Sequence, residues 1–217
     1  MLFRSDGPYE EFKKELYSLG QTPVPEWVKP APEESDVENF QTIFAKNEGA
    51  VCAPAAGLHF SRELFNRMIL KDIDKTFVTV HMGIGHFREV DVEDLSKHRM
   101  DCERMIISEE AADAINNAKR SHHKVVAVGV TVARALETYV TTTHEVRPTD
   151  TWTNKFIFPP YEFSIPDAYI SNFHLPESTM LMSVAAFGGY DKVMKAYKEA
   201  LEKDYKFGPY GDAMLIL

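Results

Sequence analysis

Residues 125–138, VVAVGVTVARALET, decide the fold class of this chain. The run Val125–Val128 contains no polar side chain, which predicts a buried strand. Gly129 ends that strand, and residues 131–141 have the apolar spacing of a helix. A strand that passes directly into a helix is the repeating unit of α/β proteins. If the rest of the chain repeats this order, the sequence predicts a layered α/β/α domain with a mostly parallel sheet.

The same alternation of short apolar runs and helical segments continues on both sides of this stretch. Further strands are predicted at Ala50–Ala53, Thr76–Val80, Phe156–Phe158 and Ala168–Ser171, with a last strand in YKFGPYGDAMLIL at 205–217. Further helices are predicted at 61–71, 108–120, 178–187 and 190–203. Because strands and helices alternate along most of the chain, we expect the α/β class.

The first part of the chain differs from this pattern. Residues 9–18 have helical spacing, and the stretch 21–36, QTPVPEWVKPAPEESD, contains four prolines. Proline lacks a backbone donor and disfavours helix in the residue before it, so this stretch is expected to be extended. We therefore predict a helical arm with a proline-rich connector over residues 1–35 and an α/β domain over residues 36–217.

The composition limits the class of protein. A chain of 217 residues, 44% of them hydrophobic, suits one medium domain, or one domain with an appended segment. The net charge of −9 argues against a large nucleic-acid footprint but does not exclude a local basic patch. No apolar run approaches the roughly 18 residues of a membrane helix. Cys52 and Cys102 are too few for a disulfide framework or a cysteine-rich zinc site, so we expect a cytoplasmic protein.

The stretch APAAGLHF at residues 53–60 is the first place where chemistry is expected. Gly57 permits a tight turn after a predicted strand, and His59 precedes a helix that starts at Ser61. Imidazole changes charge near neutral pH, so His59 is a candidate general acid or base. The spacing alone favours a turn with a hydrogen-bonded structural histidine over a catalytic one.

The stretch HMGIGHFREV at residues 81–90 is the second candidate. Gly83 and Gly85 allow a backbone to approach a ligand closely. It is not a dinucleotide fingerprint, because Arg88 occupies the position of the third glycine. The nearby histidines and carboxylate are spaced too widely for a compact ligand motif, so we expect no metal site. Those residues are His81, His86, His98 and Glu103.

Two further candidates follow the predicted strands at 125–128 and 168–171. Arg134 and Glu137 lie three residues apart on one helical face, where they fit a solvated ion pair or a fork that holds a carboxylate or phosphate. In SNFHLPESTM, residues 171–180, Asn172 and His174 follow a strand, and Ser178 is a candidate helix N-cap. From the residues alone, we expect a polar pocket that several loops form together.

Six stretches, taken in chain order, resemble the S-adenosylmethionine:tRNA ribosyltransferase-isomerases, which build the cyclopentene-diol precursor of queuosine on tRNA. The resemblance covers nearly all of residues 12–217, and NFHLPEST and YGDAM are its most specific strings. The stretches are FQTIFAKNEGAVCAPAAGLHF, FVTVHMGIGHFREV, KHRMDCE, VVAVGVTVARALET, DAYISNFHLPESTMLMSVAAFGGY and YKFGPYGDAMLIL. The family pattern also implies an N-terminal segment and an inserted small β-barrel domain that this sequence lacks.

The resemblance implies an unusual reaction. S-adenosylmethionine donates its ribosyl group to 7-aminomethyl-7-deazaguanine at the tRNA wobble position, and the products are epoxyqueuosine-tRNA, adenine and methionine. It implies tRNA, through its anticodon loop, and S-adenosylmethionine as partners, with no metal and no other cofactor. It also implies a protein that works without a membrane, and we expect a monomer.

The resemblance also implies site residues. His59 and His174 are the expected acid and base, and the sequence does not decide which is which. The expected substrate-binding residues are Gly57, Leu58, Phe60, Gly83, Gly85, Phe87, Arg134, Glu137, Asn172, Tyr210 and Asp212. We expect the loops at 53–60, 81–90, 128–138 and 171–178 to enclose one adenosyl-sized cleft.

Several positions depart from the family pattern. Ala55, His86 and Val130 replace the usual Thr, and the other departures are Pro160 for Gly, Glu89 for Pro, and Ala185 and Pro209 for Ser. Losing a hydroxyl in a polar pocket removes hydrogen bonds to a ligand. This pattern supports an alternative, a divergent or inactive paralogue that acts as an RNA- or nucleoside-binding module. An unrelated nucleotide-binding α/β domain is the third hypothesis.

Overall fold

The computed structural model describes residues 6–25, 28 and 31–217, and it separates into two compact units, Met1–Gln41 and Thr42–Leu217. In the first unit, helix α1 spans Tyr9–Leu19 and the short helix α2 spans Asp36–Asn39. The helix predicted at 9–18 is therefore present. Part of the predicted connector, at residues 26, 27, 29 and 30, lies outside the described residues.

The second unit contains six helices and six strands within the described residues. The helices are α3 (Ala55–Leu58), α4 (Arg62–Ile69), α5 (Glu109–Arg120), α6 (Val130–Thr138), α7 (Thr179–Gly188) and α8 (Tyr190–Glu202). The strands are β1 (Thr79–His81), β2 (Glu103–Ile107), β3 (Val126–Val128), β4 (Thr149–Thr153), β5 (Ala168–Asn172) and β6 (Ala213–Ile216). Two 3₁₀ turns lie at Ile84–Phe87 and Leu95–Lys97. The α/β class is confirmed.

The strands form two three-stranded sheets rather than one parallel sheet. The first sheet has the order β1-β2-β4, and both of its pairs are antiparallel. The second has the order β3-β5-β6, in which β3 and β5 are parallel and β5 and β6 are antiparallel. The predicted mostly parallel sheet is therefore wrong, because only one pair of named strands is parallel.

The burial of β2 gives the physical reason for this difference. Glu103, Met105 and Ile107 are buried, and the residues between them are exposed or half-buried. A strand with one wet face is typical of antiparallel sheets, whereas parallel strands are usually covered on both faces. The alternation of strands and helices along the chain does not distinguish these cases, because consecutive strands such as β2 and β3 can join different sheets.

Some predicted strands have no counterpart in the structure. Residues 50–53 and 156–158 form irregular backbone, and strands β2 and β4 were not predicted. The predicted strand at 76–80 is shortened to the three residues of β1. The strands predicted at 125–128, at 168–171 and at the C-terminus are confirmed as β3, β5 and β6.

Helix capping explains where the long helices begin. The side chains of Ser61, Ser108 and Ser178 accept hydrogen bonds from the third residue beyond them, which satisfies free N–H groups at the starts of α4, α5 and α7. Helix α6 begins differently, after Gly129 with a φ of 100°. A side chain at that φ is strained, so the turn from β3 into α6 requires glycine.

Two apolar clusters hold the second unit together. One packs α7 and α8 against the sheet of β3, β5 and β6, with Tyr169 and Val184 fully buried. The other joins α5 and α6 with Ile107 and Ile165. Helix α6 contributes Ala133 to the first cluster and Leu136 to the second, so its position is fixed from two sides. No helix in the described part of the chain has both the length and the apolar composition that a membrane crossing requires.

Candidate active site

The carboxyl ends of the two parallel strands lie side by side. Val128 of β3 is in register with Ile170 of β5, and the N–H of Gly129 donates to the carbonyl of Ile170 at 2.8 Å. The chain then leaves β3 into residues 128–138 and leaves β5 into residues 171–178. Ligands of α/β proteins usually bind beyond the carboxyl ends of parallel strands. A ligand is therefore expected at this edge.

The loop at 53–60 reaches this edge through His59. Nε2 of His59 lies 3.2 Å from Oδ1 of Asn172, the last residue of β5. On the same side, a Cβ added to Gly129 would lie 3.9 Å from Cβ of Ala56. The 53–60 loop is thus in contact with the ends of both parallel strands.

The loop at 81–90 reaches the same edge from the other sheet. The N–H of Val90 donates to the carbonyl of Glu177 at 2.7 Å, and Glu89 forms an isolated bridge with Ser178. The N–H of Gly83 donates to Oε1 of Glu103 at 3.1 Å. The other oxygen of Glu103 forms an ion pair with Arg134 of α6. The predicted meeting of the four loops is therefore found.

A small cavity lies between two of these loops, 81–90 and 128–138, and the first turns of α7. Its lining residues are His86, Met100, Val130, Arg134, Phe156, Ile157, Thr179 and Ser183. Its volume is about 10 Å³, which is the space of a single water, whereas small-molecule pockets occupy roughly 300–1,000 Å³. His59 and His174 do not line it, and no residue of 53–60 contributes. The predicted single adenosyl-sized cleft around both histidines is not formed by this cavity.

Asn172 connects the 53–60 loop with the C-terminal loop. It is 1% exposed, and its Nδ2 donates to the carbonyls of Gly208 at 2.9 Å and Gly211 at 3.2 Å. Its Oδ1 faces His59, whose side chain is exposed. The predicted binding residue is thus buried, with all its polar atoms engaged by the chain.

His174 is held in the interior. Its ring nitrogen Nε2 lies 2.6 Å from Oγ of Ser171, and its main-chain N–H donates to the hydroxyl of Tyr197 at 2.9 Å. Burial lowers the pKa of His174 to about 3, with a smaller contribution from His86. The imidazole is therefore neutral at pH 7. It can share a hydrogen bond, but it is a weak base.

His86 is a second buried histidine, at a position that departs from the family pattern. Burial, and then the charge of Arg134, lower its pKa to about 4. Its ring packs edge-on against Phe87 at 5.6 Å between centroids, and its Nδ1 has no hydrogen-bond partner within the described residues. Since this ring lines the cavity, it fills space that a smaller side chain would leave open.

Arg134 pairs with Glu103 rather than with Glu137. Both partners are buried, and Nη1 of Arg134 also lies 3.4 Å from the sulfur of Met100. Burial lowers the pKa of Arg134 to about 10, so the guanidinium stays charged at pH 7. The i,i+3 pairing considered from the sequence is wrong, because Arg134 turns towards β2. Its charge is already neutralised by a carboxylate of the chain.

Glu137 holds a loop of the chain itself. Oε1 accepts from the N–H groups of Ser164 at 2.9 Å and Ile165 at 2.8 Å, and Oε2 accepts from the hydroxyl of Tyr161 at 2.9 Å. Burial and the adjacent Glu137 charge raise the pKa of Tyr161. These three hydrogen bonds fix the segment that leads into β5.

The predicted glycines have three different environments. A Cβ on Gly57 would lie 2.9 Å from Phe44 and 3.0 Å from Thr42, so Gly57 allows close packing. The space beside Gly85 is occupied by the side chain of Asp101. A Cβ added to Gly83 would have no atom within 4 Å. Of these three glycines, Gly83 is therefore the one whose backbone borders open space.

The remaining predicted residues lie around the rim of these loops. Leu58 is half-buried, Phe60 stacks on Phe65 at 5.8 Å, and Phe87 is 51% exposed. Asp212 closes the C-terminal turn, because its carboxylate accepts from the N–H of Lys206 at 2.7 Å. Tyr210 lies on the same turn and is 38% exposed. The 206–212 turn is joined to β5 through Asn172.

Three residues of the site were not predicted from the sequence. Glu103 was considered only as a metal ligand, while Ser171 and Tyr197, the partners of His174, were not considered. Ser171 lies three residues before His174, which was a usable signal, but Tyr197 belongs to a distant helix. Among the described residues, no three His, Cys, Asp or Glu side chains gather in a geometry that would hold a metal ion.

Comparison with known proteins relates this chain to one family along its whole length. The family model described as queuosine biosynthesis protein matches residues 1–216. The S-adenosylmethionine:tRNA ribosyltransferase-isomerase of Phocaeicola vulgatus is 59% identical over 215 residues, which are 99% of this chain and 61% of that protein. The same-named protein of Flavobacterium psychrophilum is 50% identical over 215 residues, which are 99% of this chain and 62% of that protein.

A solved structure shares the fold. The S-adenosylmethionine tRNA ribosyltransferase from Thermotoga maritima superposes with a TM-score of 0.61 at 38% sequence identity, over 75% of this chain and 51% of that one. This chain spans about three fifths of the length of the curated relatives that it matches. The likeness therefore covers both the sequence and the α/β fold of this part of those proteins.

Proposed function

The chain belongs to the family of queuosine biosynthesis proteins, and from this premise we propose that it carries the reaction centre of an S-adenosylmethionine:tRNA ribosyltransferase-isomerase. In the proposed reaction, the ribosyl group of S-adenosylmethionine moves to 7-aminomethyl-7-deazaguanine at the tRNA wobble position and is isomerised there. The products are epoxyqueuosine-tRNA, adenine and methionine. S-adenosylmethionine is consumed as a co-substrate, and the proposal requires no metal or other cofactor.

One observation carries the proposal beyond the family match. Four loops from different parts of the chain meet beyond the carboxyl ends of β3 and β5. This is the place where α/β enzymes bind nucleotides and related ligands. Loops that are held together by buried hydrogen bonds can position reacting groups without a large conformational cost.

The chemistry assigns different tasks to the two histidines. A base must remove the proton next to the sulfonium, and adenine must leave as one of its nitrogens gains a proton. His59 is exposed, so we propose that it exchanges protons with the substrate. His174 is buried and neutral, so we propose that it acts at the site through its hydrogen bond with Ser171. Oriented dipoles of this kind stabilise charge that develops in a transition state.

Backbone and aromatic groups complete the proposed site. The open side of Gly83 and the half-exposed ring of Phe87 lie on one loop, and Leu58 and Phe60 lie on another. A flipped wobble base requires apolar or aromatic faces on which to stack. We propose the anticodon loop of tRNA as the partner, the cytoplasm as the location and a monomer as the acting form.

The deciding experiment measures adenine. Purified protein is incubated with S-adenosylmethionine and with tRNA that carries the aminomethyl-deazaguanine base, and adenine is quantified by chromatography. The Phocaeicola vulgatus relative serves as the competent control in the same assay. Adenine must appear only when the tRNA is present. If the relative releases adenine and this protein does not, the proposed enzyme function is wrong.

His59→Gln and His174→Ala test the proposed residues. Glutamine keeps an N–H donor near Asn172 and removes the titrating ring, so we expect adenine release to fall by roughly 10²–10⁴-fold with an unchanged melting temperature. His174→Ala is expected to abolish turnover and to lower the melting temperature by a few degrees, since it empties a buried position. A His59→Gln protein with normal turnover would remove His59 from the mechanism.

A second function is favoured by the side chains in the cavity. His86 and Val130 line it. The resemblance implies threonine at both positions, so two hydroxyl groups that could bind a ligand are absent from the lining. A module that binds RNA or a nucleoside without turnover is consistent with this change. It predicts tRNA binding without adenine release, and restored release in the doubly substituted His86→Thr, Val130→Thr protein.

A further inference from the structure

The side chain of Asn172 has only one orientation that satisfies its contacts. Its amide group meets two main-chain carbonyl oxygens, those of Gly208 and Gly211, and one ring nitrogen, Nε2 of His59. A carbonyl oxygen only accepts hydrogen bonds, so the NH₂ group faces the two carbonyls and Oδ1 faces the ring. An amide oxygen also only accepts. The hydrogen bond at 3.2 Å therefore requires the proton on Nε2 of His59.

The proton on Nε2 determines what the other ring nitrogen can do. In a neutral imidazole one nitrogen donates and the other accepts, so Nδ1 of His59 retains its lone pair. Among the described residues, Asn172 supplies the only hydrogen bond to this ring. The lone pair of Nδ1 is therefore not used by the rest of the described chain, and the side chain is exposed.

Both partners are anchored so that this geometry persists. Asn172 ends β5 and is paired in register with Ala213 of β6, which fixes the acceptor from two strands. His59 follows α3 directly. Because Gly57 has no side chain, α3 packs closely against Phe44, where an added Cβ would lie only 2.9 Å from the ring. An acceptor on a rigid element orients a ring more accurately than one on a mobile loop.

We propose that Asn172 is a positioning residue that holds the ring of His59 so that Nδ1 removes the proton next to the sulfonium. This inference rests on the function proposed above. In that step the C–H bond breaks, its electron pair stays on carbon beside the positive sulfur, and the proton joins the lone pair of Nδ1. The imidazolium keeps its Nε2–H on the oxygen of Asn172. That oxygen stabilises the charge that the ring gains.

The first test observes His59 without turnover. Long-range proton–nitrogen NMR spectra of the ¹⁵N-labelled protein distinguish the two neutral tautomers of each histidine, and the His59→Gln protein identifies the His59 signals. The wild-type spectrum in the neutral form must show the proton of His59 on Nε2. A proton found on Nδ1 overturns the proposal, whatever the protein's activity.

Two variants separate the direct contact from the loop around it. Asn172→Ala removes the acceptor, and we expect His59 to lose its single fixed tautomer. Asp212→Ala loosens the same C-terminal turn by removing the acceptor of the Lys206 N–H, without touching the ring. We expect the His59 signals of that variant to match the wild type. Equal changes in both variants mean that the turn, and not Asn172, orients the ring, which overturns the proposal.

Kinetics supply the second test. Asn172→Ala removes the oxygen that stabilises the charged ring, so the acidic limb of the pH profile of kcat/KM must move to lower pH. Asn172→Ala must lower kcat by about tenfold or more while KM changes little. An unmoved acidic limb overturns the positioning role even in an active enzyme. Absence of adenine release from the wild type, beside a working relative, instead overturns the proposed function and leaves the NMR result intact.

Discussion

Strand β2 carries two ion pairs on its opposite faces, and their surroundings differ completely. Glu103 points inward, where it pairs with Arg134 and accepts the N–H of Gly83, and both partners of the pair are at most 5% exposed. Arg104, the next residue, points outward and forms a two-bond contact with Asp150 at 2.8 and 2.6 Å. The outer pair has the better-defined geometry, yet it stands in water.

The comparison shows that location, and not geometry, decides what an ion pair contributes. An exposed pair is screened by solvent, so its loss is hardly noticed. A buried pair is costly to form and still more costly to break, because removal of one partner leaves an uncompensated charge in the interior. Glu103 also joins the antiparallel sheet to the loop at 81–90 and to α6. The inner face of β2 therefore supports the proposed site, and the outer face does not.

Removal of the inner carboxylate is the largest expected effect. We expect Glu103→Gln to lower the free energy of unfolding by about 3–5 kcal/mol, because Arg134 stays charged and buried without its partner. Urea unfolding followed by circular dichroism measures this difference. A loss below about 1 kcal/mol would mean that water reaches Arg134, and the contrast between the two faces would disappear.

A double variant controls for the charge itself. In the Glu103→Leu, Arg134→Met protein both charges are replaced by apolar side chains, so we expect much of the lost stability to return. If the double variant is as unstable as the sum of the two single variants, packing rather than charge explains the loss. The wild type, Glu103→Leu, Arg134→Met and the double variant form a double-mutant cycle, which isolates the interaction between the two side chains.

The buried histidines predict the next effect, which depends on pH. The pKa of His86 is lowered to about 4 in the folded protein, against about 6.5 in an unfolded chain. Below about pH 6.5 the unfolded state binds more protons than the folded state, so stability falls as the pH falls towards 4. We expect a loss on the order of 2–3 kcal/mol from His86 between these limits.

His86→Thr tests this expectation. The variant has no group with a lowered pKa at this position, so its unfolding free energy must depend less steeply on pH between about 6.5 and 4 than that of the wild type. Melting temperatures measured across this range are sufficient. Parallel curves for the two proteins would show that His86 is as accessible to protons as an exposed histidine. His174 remains in both proteins, and because His86 helps to lower the pKa of His174, the pH dependence that His174 contributes also decreases in the variant.

Removal of the outer pair is the smallest expected effect. We expect Arg104→Gln to leave the urea midpoint unchanged within experimental error, because the side chains of Arg104 and Asp150 are 45% and 53% exposed and water screens their attraction. The same measurement on Glu103→Gln provides the contrast. A marked loss of stability in Arg104→Gln would show that the outer face is covered by something in solution, and the two faces would then be equivalent.

The parts of the fold that were predicted share one property. Strands β3 and β5 contain apolar runs, and helices α5 to α8 have helical apolar spacing and begin after a serine or glycine, so their local sequence agrees with their structure. Strand β2 reads ERMII and β4 reads TDTWT, and charged or polar residues occupy six of their ten positions. Strands of this kind can be recognised from sequence only if one face of the strand is expected to be exposed to solvent.

The false strands have a complementary explanation. Residues 156–158 are apolar, and Ile157 is 2% exposed, but its backbone is irregular because it lines the cavity beside α6 and α7. An apolar run shows that a segment is buried, not that it pairs with a neighbour. Irregular buried segments of this kind concentrate at functional sites.

The sequence by itself determined the α/β class, the glycine at the turn from β3 into α6 and the helix cap at Ser178. All of these depend on neighbours within a few residues, such as a φ that only glycine tolerates. Tertiary structure alone decided that Arg134 pairs with Glu103, that His174 is buried and neutral, and that Asn172 faces His59. Those facts depend on which distant segments pack together in an interior without water, and the spacing of residues along the chain does not predict that packing.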